Sequence, residues 1–168
     1  MKHLHYLLAP LCTIALLATP AHATPPPVGT STATVQLTGW LHVDDLEMRD
    51  VDLVVSVNGA QSRVRVNNSG RFEVNLPGES AVTLRFEKPG HVAKEITVDT
   101  RNLQDGGFDG QRKRQVKMAV IMEQERYMGG LTFAGPVGRI GFEQGGGCVA
   151  VEHTRTTEPA KRRGVMEF

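Results

Sequence analysis

The sequence predicts an all-β fold: an antiparallel β-sandwich of about seven strands followed by a C-terminal β-hairpin. Three observations predict it. Apolar residues alternate with polar or small ones through nearly every run between residues 35 and 122, the period of a strand with one buried face. Turn signals, Asn58-Gly59, Asn68-Ser69-Gly70, Pro77-Gly78 and Pro89-Gly90, interrupt those runs about every eight to twelve residues. No window carries sustained helical periodicity with caps, and the only helical turn the pattern admits lies near residues 99–103.

Taken in order, the runs are as follows. Val35, Leu37 and Leu41 share one face of the first. Val51, Leu53, Val55 and Val57 lead into Asn58-Gly59, where both residues tolerate positive φ, so Val64 and Val66 return as the second arm of a hairpin. Phe72, Val74 and Leu76 run to Pro77-Gly78, and Val82, Leu84 and Phe86 run to Pro89-Gly90. Val92, Ile96 and Val98 form the next run, and Val116, Met118, Val120 and Met122 the seventh. The expected core is Leu37, Leu53, Val55, Phe72, Val74, Leu84, Phe86, Ile96, Val98, Met118 and Val120. Residues 139–143 and 148–153 read as a hairpin around Gly145-Gly146-Gly147.

Composition changes at both ends of this pattern. Lys2, an apolar stretch and Ala21-His22-Ala23 read as a signal peptide over residues 1–23. Its style is bacterial, which points to the periplasm or the exterior. Residues 24–32 are rich in Pro, Gly and Thr and read as a flexible tether. The sandwich is expected over 33–122, a Gly-rich extension with the hairpin over 123–153, and a polar basic tail over 154–168. Twelve of the 18 glycines fall after residue 105, which sets the extension apart from the sandwich.

A family resemblance rests on Gly70-Arg71-Phe72-Glu73-Val74-Asn75-Leu76-Pro77-Gly78, then Val82 to Phe86, then Lys88-Pro89-Gly90-His91. Over about residues 35–98 this is similar to the carboxypeptidase regulatory-like domains, which are transthyretin-like sandwiches. Two departures stand out. The family often has an aspartate before the glycine, where this chain has Asn67-Asn68-Ser69, and an aromatic where this chain has His91. The resemblance implies an accessory module that binds, spaces or stabilises, without catalytic residues.

Charge and side-chain chemistry narrow the function further. The whole chain has 19 basic and 18 acidic residues, and removing the leader takes away one basic residue, so there is no electrostatic footprint for nucleic acid. No apolar run after the leader is long enough to span a membrane as a helix. His42, His91 and His153 are scattered, so neither a metal site nor any cofactor is expected. Cys148 and His153 are five residues apart and face away from each other on a strand, so a catalytic pair is not expected either. The acidic clusters at residues 44–52 and 105–109 lack calcium-loop spacing.

The reading that remains is a secreted or periplasmic, non-enzymatic module that binds an envelope protein or polymer. Trp40, Tyr127 and Phe133 are candidate apolar contacts, although each also suits a core position. Arg112, Lys113 and Arg114 are a candidate basic contact, although a basic edge also deters strand aggregation. Cys148 could join two chains. An eight-stranded outer-membrane barrel and a small periplasmic enzyme using His91 or Cys148 are the alternatives.

The leader reading predicts a secreted protein beginning at Thr24. Intact mass of periplasmic material checks it. A chain retaining residues 1–23, or a lipid adduct at Cys12, would contradict it.

Overall fold

The structure, a computed structural model, describes residues 33–44, 47–103, 113–144 and 149–161. In chain order its strands are β1 (Thr34–His42), β2 (Asp52–Val57), β3 (Ala60–Val64), β4 (Arg71–Pro77), β5 (Ala81–Glu87) and β6 (Lys94–Asp99). There follow β7 (Lys113–Ile121), β8 (Leu131–Phe133), β9 (Gly138–Phe142), β10 (Val149–His153) and β11 (Thr157–Pro159). A three-stranded sheet, β4-β1-β7, faces a six-stranded sheet, β10-β9-β6-β5-β2-β3, and β8 pairs with β11 beside them. The fold is an all-β sandwich with a C-terminal hairpin, and the described strands close no barrel.

The hairpin of β2 and β3 turns on Asn58 and Gly59, at φ 49° and 89°, the conformation that gives a tight turn the twist of its strands. At the turn before β4, Asn67 supplies the side-chain acceptor that an aspartate would supply elsewhere. Its Oδ1 accepts from the backbone N–H of Ser69 at 3.0 Å and of Arg71 at 2.8 Å. The β4–β5 turn is tied down by buried Thr100, whose hydroxyl donates to the Pro77 carbonyl at 2.8 Å and accepts from the Ser80 N–H at 2.9 Å.

Two joins depart from the antiparallel expectation. β1 and β7 pair in parallel over nine residues, and β6 and β9 pair in parallel from Ile96 to Val98. Period-two alternation reports which face of a strand is buried and says nothing about which distant strand lies alongside. The hairpin of β9 and β10 therefore extends the six-stranded sheet, with Val149 opposite Phe142 and His153 opposite Gly138. The helical turn expected near residues 99–103 is a non-helical turn, broken by Asn102 at φ 63°. A single 3₁₀ turn falls at Glu125–Tyr127 instead. Within the expected tail, Thr157–Pro159 form β11, exposed throughout.

The core lies between the two large sheets and contains every expected residue as a buried one except Met118, which is half-buried. Phe72 is its pivot. It lies across Gly39 of the neighbouring strand, where a Cβ would stand 2.0 Å from the Phe72 Cζ. The missing side chain lets the ring lie flat over β1. From there it reaches Phe86 of the opposite sheet, centroid to centroid 5.4 Å, tilted 58°.

Phe72→Ala should lower stability in urea by about 3–5 kcal/mol. Gly39→Ala should cost about 1–3 kcal/mol by overpacking, and much of that should return when Phe72→Leu is added. Independent, additive losses would show that the ring does not depend on Gly39.

Candidate functional site

The sandwich stays open along one side, between β7 and the β9–β10 hairpin. A groove of about 440 Å³ runs there, with Ile96, Val116, Val120 and Ile140 on its floor. Met118, half-buried, faces into it, and the exposed apolar side chains Ile121, Val149 and Val151 stand at its rim. Ile121 is 60% exposed and Val151 54%, which is unusual for β-branched residues on strands and marks this side as an apolar surface. Lys117 on one wall and Arg139, Glu152 and His153 on the other add charge to it.

One end of the groove is closed by an ionic cluster. Lys94 lies in the buried series of β6 beside Ile96 and Val98. Only 7% of it is exposed. Its ammonium pairs with the Glu123 carboxylate at 2.5 Å, donates to the Ile121 carbonyl and lies 5.4 Å from the centroid of the Phe133 ring. Glu123 also pairs with Arg155, which follows β10. The cluster thus fastens the end of β7 to the segment after the hairpin and sets the width of the groove at that end. Farther along, Arg139 of β9 reaches Asp99 at 3.4 Å. Hydrogen bonds from Arg101 hold the Asp99 carboxyl down at about 2, so this pair keeps its charge at neutral pH.

The sequence-predicted contact residues do not converge. Trp40 is about one-third exposed on the outer face of the three-stranded sheet, beside Arg71 and Ala119 in register. Tyr127 projects from the 3₁₀ turn with the Arg126 guanidinium 4.7 Å from its ring centroid. Phe133 is half-buried under Lys94. Arg114 lies 5.9 Å from the Phe142 ring centroid, and Lys113 begins β7. Arg112 and Cys148 lie outside the described residues, as do the glycines of the hairpin tip. Nothing in the sequence alone singles out Ile121, Val149 and Val151. Their alternation says strand, but only the sheet order shows that β7 and β10 are edges.

The histidines stay apart. His42 is exposed on β1 and His153 on β10. His91 is buried; its Nδ1 donates to the Pro89 carbonyl at 3.1 Å, which leaves Nε2 enclosed. Among the described residues no three His, Cys, Asp or Glu side chains gather to hold a metal ion. No described helix is long and apolar enough to cross a membrane.

Breaking the cluster from one side should cost more than removing it. Glu123→Ala should lower stability by about 2 kcal/mol or more, because it strands the Lys94 ammonium. Lys94→Met with Glu123→Met should cost less than the two single changes summed. Additive losses in denaturant melts would show that the pair is not coupled.

No protein-family model matches the chain, and no curated protein matches it. Among solved structures it is similar to one chain in each of two type II cohesin–X-dockerin complexes from Acetivibrio cellulolyticus, an N-terminal and a C-terminal interface mutant. In both the identity is 12% and the TM-score 0.34, and the match covers 52% of this chain and 56% of the other, little more than half of either. That likeness carries no inference about partners.

Proposed function

We propose that this chain is a non-enzymatic β-sandwich module that works outside the cytoplasm by holding another component of the cell envelope in the groove between β7 and the β9–β10 hairpin. The observation that carries the reading is the row of exposed apolar side chains, Ile121, Val149 and Val151, beside a groove whose floor is continuous with the core. Exposed β-branched residues on an open sandwich side are a liability unless something covers them. The leader supports the compartment. The resemblance to the carboxypeptidase regulatory-like domains supports an accessory rather than a chemical role.

The groove offers an apolar floor and a charged rim, the pattern of a contact surface in which burial supplies affinity and the rim supplies selectivity. The charges nearest its floor are already engaged. Lys94 is held by Glu123 and the Ile121 carbonyl, and Arg139 faces Asp99. Such groups suit a rigid frame better than proton transfer.

Val151→Asp should test this. Because Val151 is more than half exposed, the change should alter stability by less than about 0.5 kcal/mol. It should nevertheless abolish recovery of whichever envelope component the unaltered protein retains from envelope extracts at a fixed stoichiometry. Equal recovery by both proteins would contradict the assignment, as would a hydrolytic activity that purifies with the chain.

A further inference from the structure

We propose that the unpaired edge of β7 is a strand-docking site, and that its occupant is an extended segment of a partner protein, apolar at every second residue and acidic opposite Lys117. This rests on the interaction-module reading above and gives the partner a chemistry.

β7 spans nine residues and is the outermost strand of its sheet. β1 pairs with one of its edges along the whole length, and no described strand pairs with the other. Half of the backbone N–H and C=O groups of an edge strand point away from its sheet. Here they face the groove, which residues Val116 to Ile121 line without a gap. At about 3.3 Å per residue that is roughly 17 Å, the length of a short strand of five or six residues. A strand added there would pair with β7. Its alternate side chains would fall among Met118, Val149 and Val151, in the mode by which peptides join exposed sheet edges.

The other edge of the same sheet does not offer this. Beside β4 all three inward side chains, Phe72, Val74 and Leu76, are buried, whereas on β7 Met118, between buried Val116 and Val120, is not. Beside β7 Met118 remains half-open and the groove continues past it.

Charge selects the occupant. Lys94 and Arg155 are held by Glu123, Arg139 lies 3.4 Å from Asp99, and Glu152 sits opposite Arg139 in the hairpin register. Lys117 stands at the middle of the edge strand and makes no ion pair among the described residues. A second copy of the chain is disfavoured by the same residue. The antiparallel register that pairs all nine residues of β7 with those of another copy sets Lys117 against Lys117, and like charges directly opposite are destabilising. An acidic residue on a foreign strand turns that repulsion into attraction.

The test pans the full chain against displayed, randomised peptides of about twelve residues, long enough to cover the edge with flanks. Enriched peptides should alternate apolar and polar residues, with an acidic residue at a fixed polar position. Amide hydrogen exchange should show new protection within residues 116–121 on binding. N-methylation at alternate peptide residues, which removes the pairing N–H groups, should abolish binding in one phase of the alternation only. Lys117→Glu should weaken an acidic peptide about fivefold to tenfold and strengthen its lysine counterpart.

Several results would overturn the proposal: no enrichment, enriched peptides without alternation, protection elsewhere on the surface, or indifference to N-methylation. Two others would also overturn it by naming another occupant. Outward-pointing β7 amides already protected in the monomer would mean that the chain covers its own edge, and protection that grows with protein concentration would mean a second copy. If the Val151→Asp experiment succeeds while these fail, the module reading stands and strand addition falls.

Discussion

The two sheets are held in place by one aromatic contact that depends on an absent side chain. Phe72 can lie over β1 only because residue 39 is glycine, and from that position it meets Phe86 across the core. The contact fixes how closely the sheets approach near β1, β4 and β5. Strands farther from it are less tightly covered, and the sandwich opens on the β7 side. A glycine opposite an aromatic on a neighbouring strand is a known device for keeping close packing where a Cβ would collide.

The opening does not collapse, because its end is braced. Lys94 occupies a core position in β6 and brings a charge inside, which requires a partner and hydrogen bonds to be tolerable. Glu123 and the Ile121 carbonyl supply them, and Arg155 ties the same carboxylate to the chain beyond β10. A hydrophobic residue at 94 could bury as much surface, yet it would not connect three segments of the chain at one point. At that end the groove is bounded by directional bonds rather than by side-chain packing alone.

Most of the sandwich was legible in the sequence, because alternation and turn chemistry are local. Asn58-Gly59 marked its hairpin, and the inward residues of β1, β2, β4 and β5 followed from period two alone. Other features were not legible for the opposite reason. Parallel pairing of β1 with β7 joins residues almost eighty positions apart, and nothing in either strand names the other. In sequence a lysine at position 94 looks like a break in the apolar series rather than a member of it. The groove was hidden for the same cause. Val149 and Val151 become a surface only once β10 is known to be an edge, while Trp40, Tyr127 and Phe133, chosen for being aromatic, lie on three separate parts of the molecule.

We place the contact with a partner at the open side of the sandwich, along β7. The most direct measurement places a photo-crosslinking side chain at single sites of the full chain in the intact cell. The sites are Val151 at the groove rim and Glu73 on the outer face of the three-stranded sheet, both exposed. Position 151 should give one discrete adduct and position 73 none. An adduct from position 73 with none from position 151 would place the partner on the opposite face and contradict it.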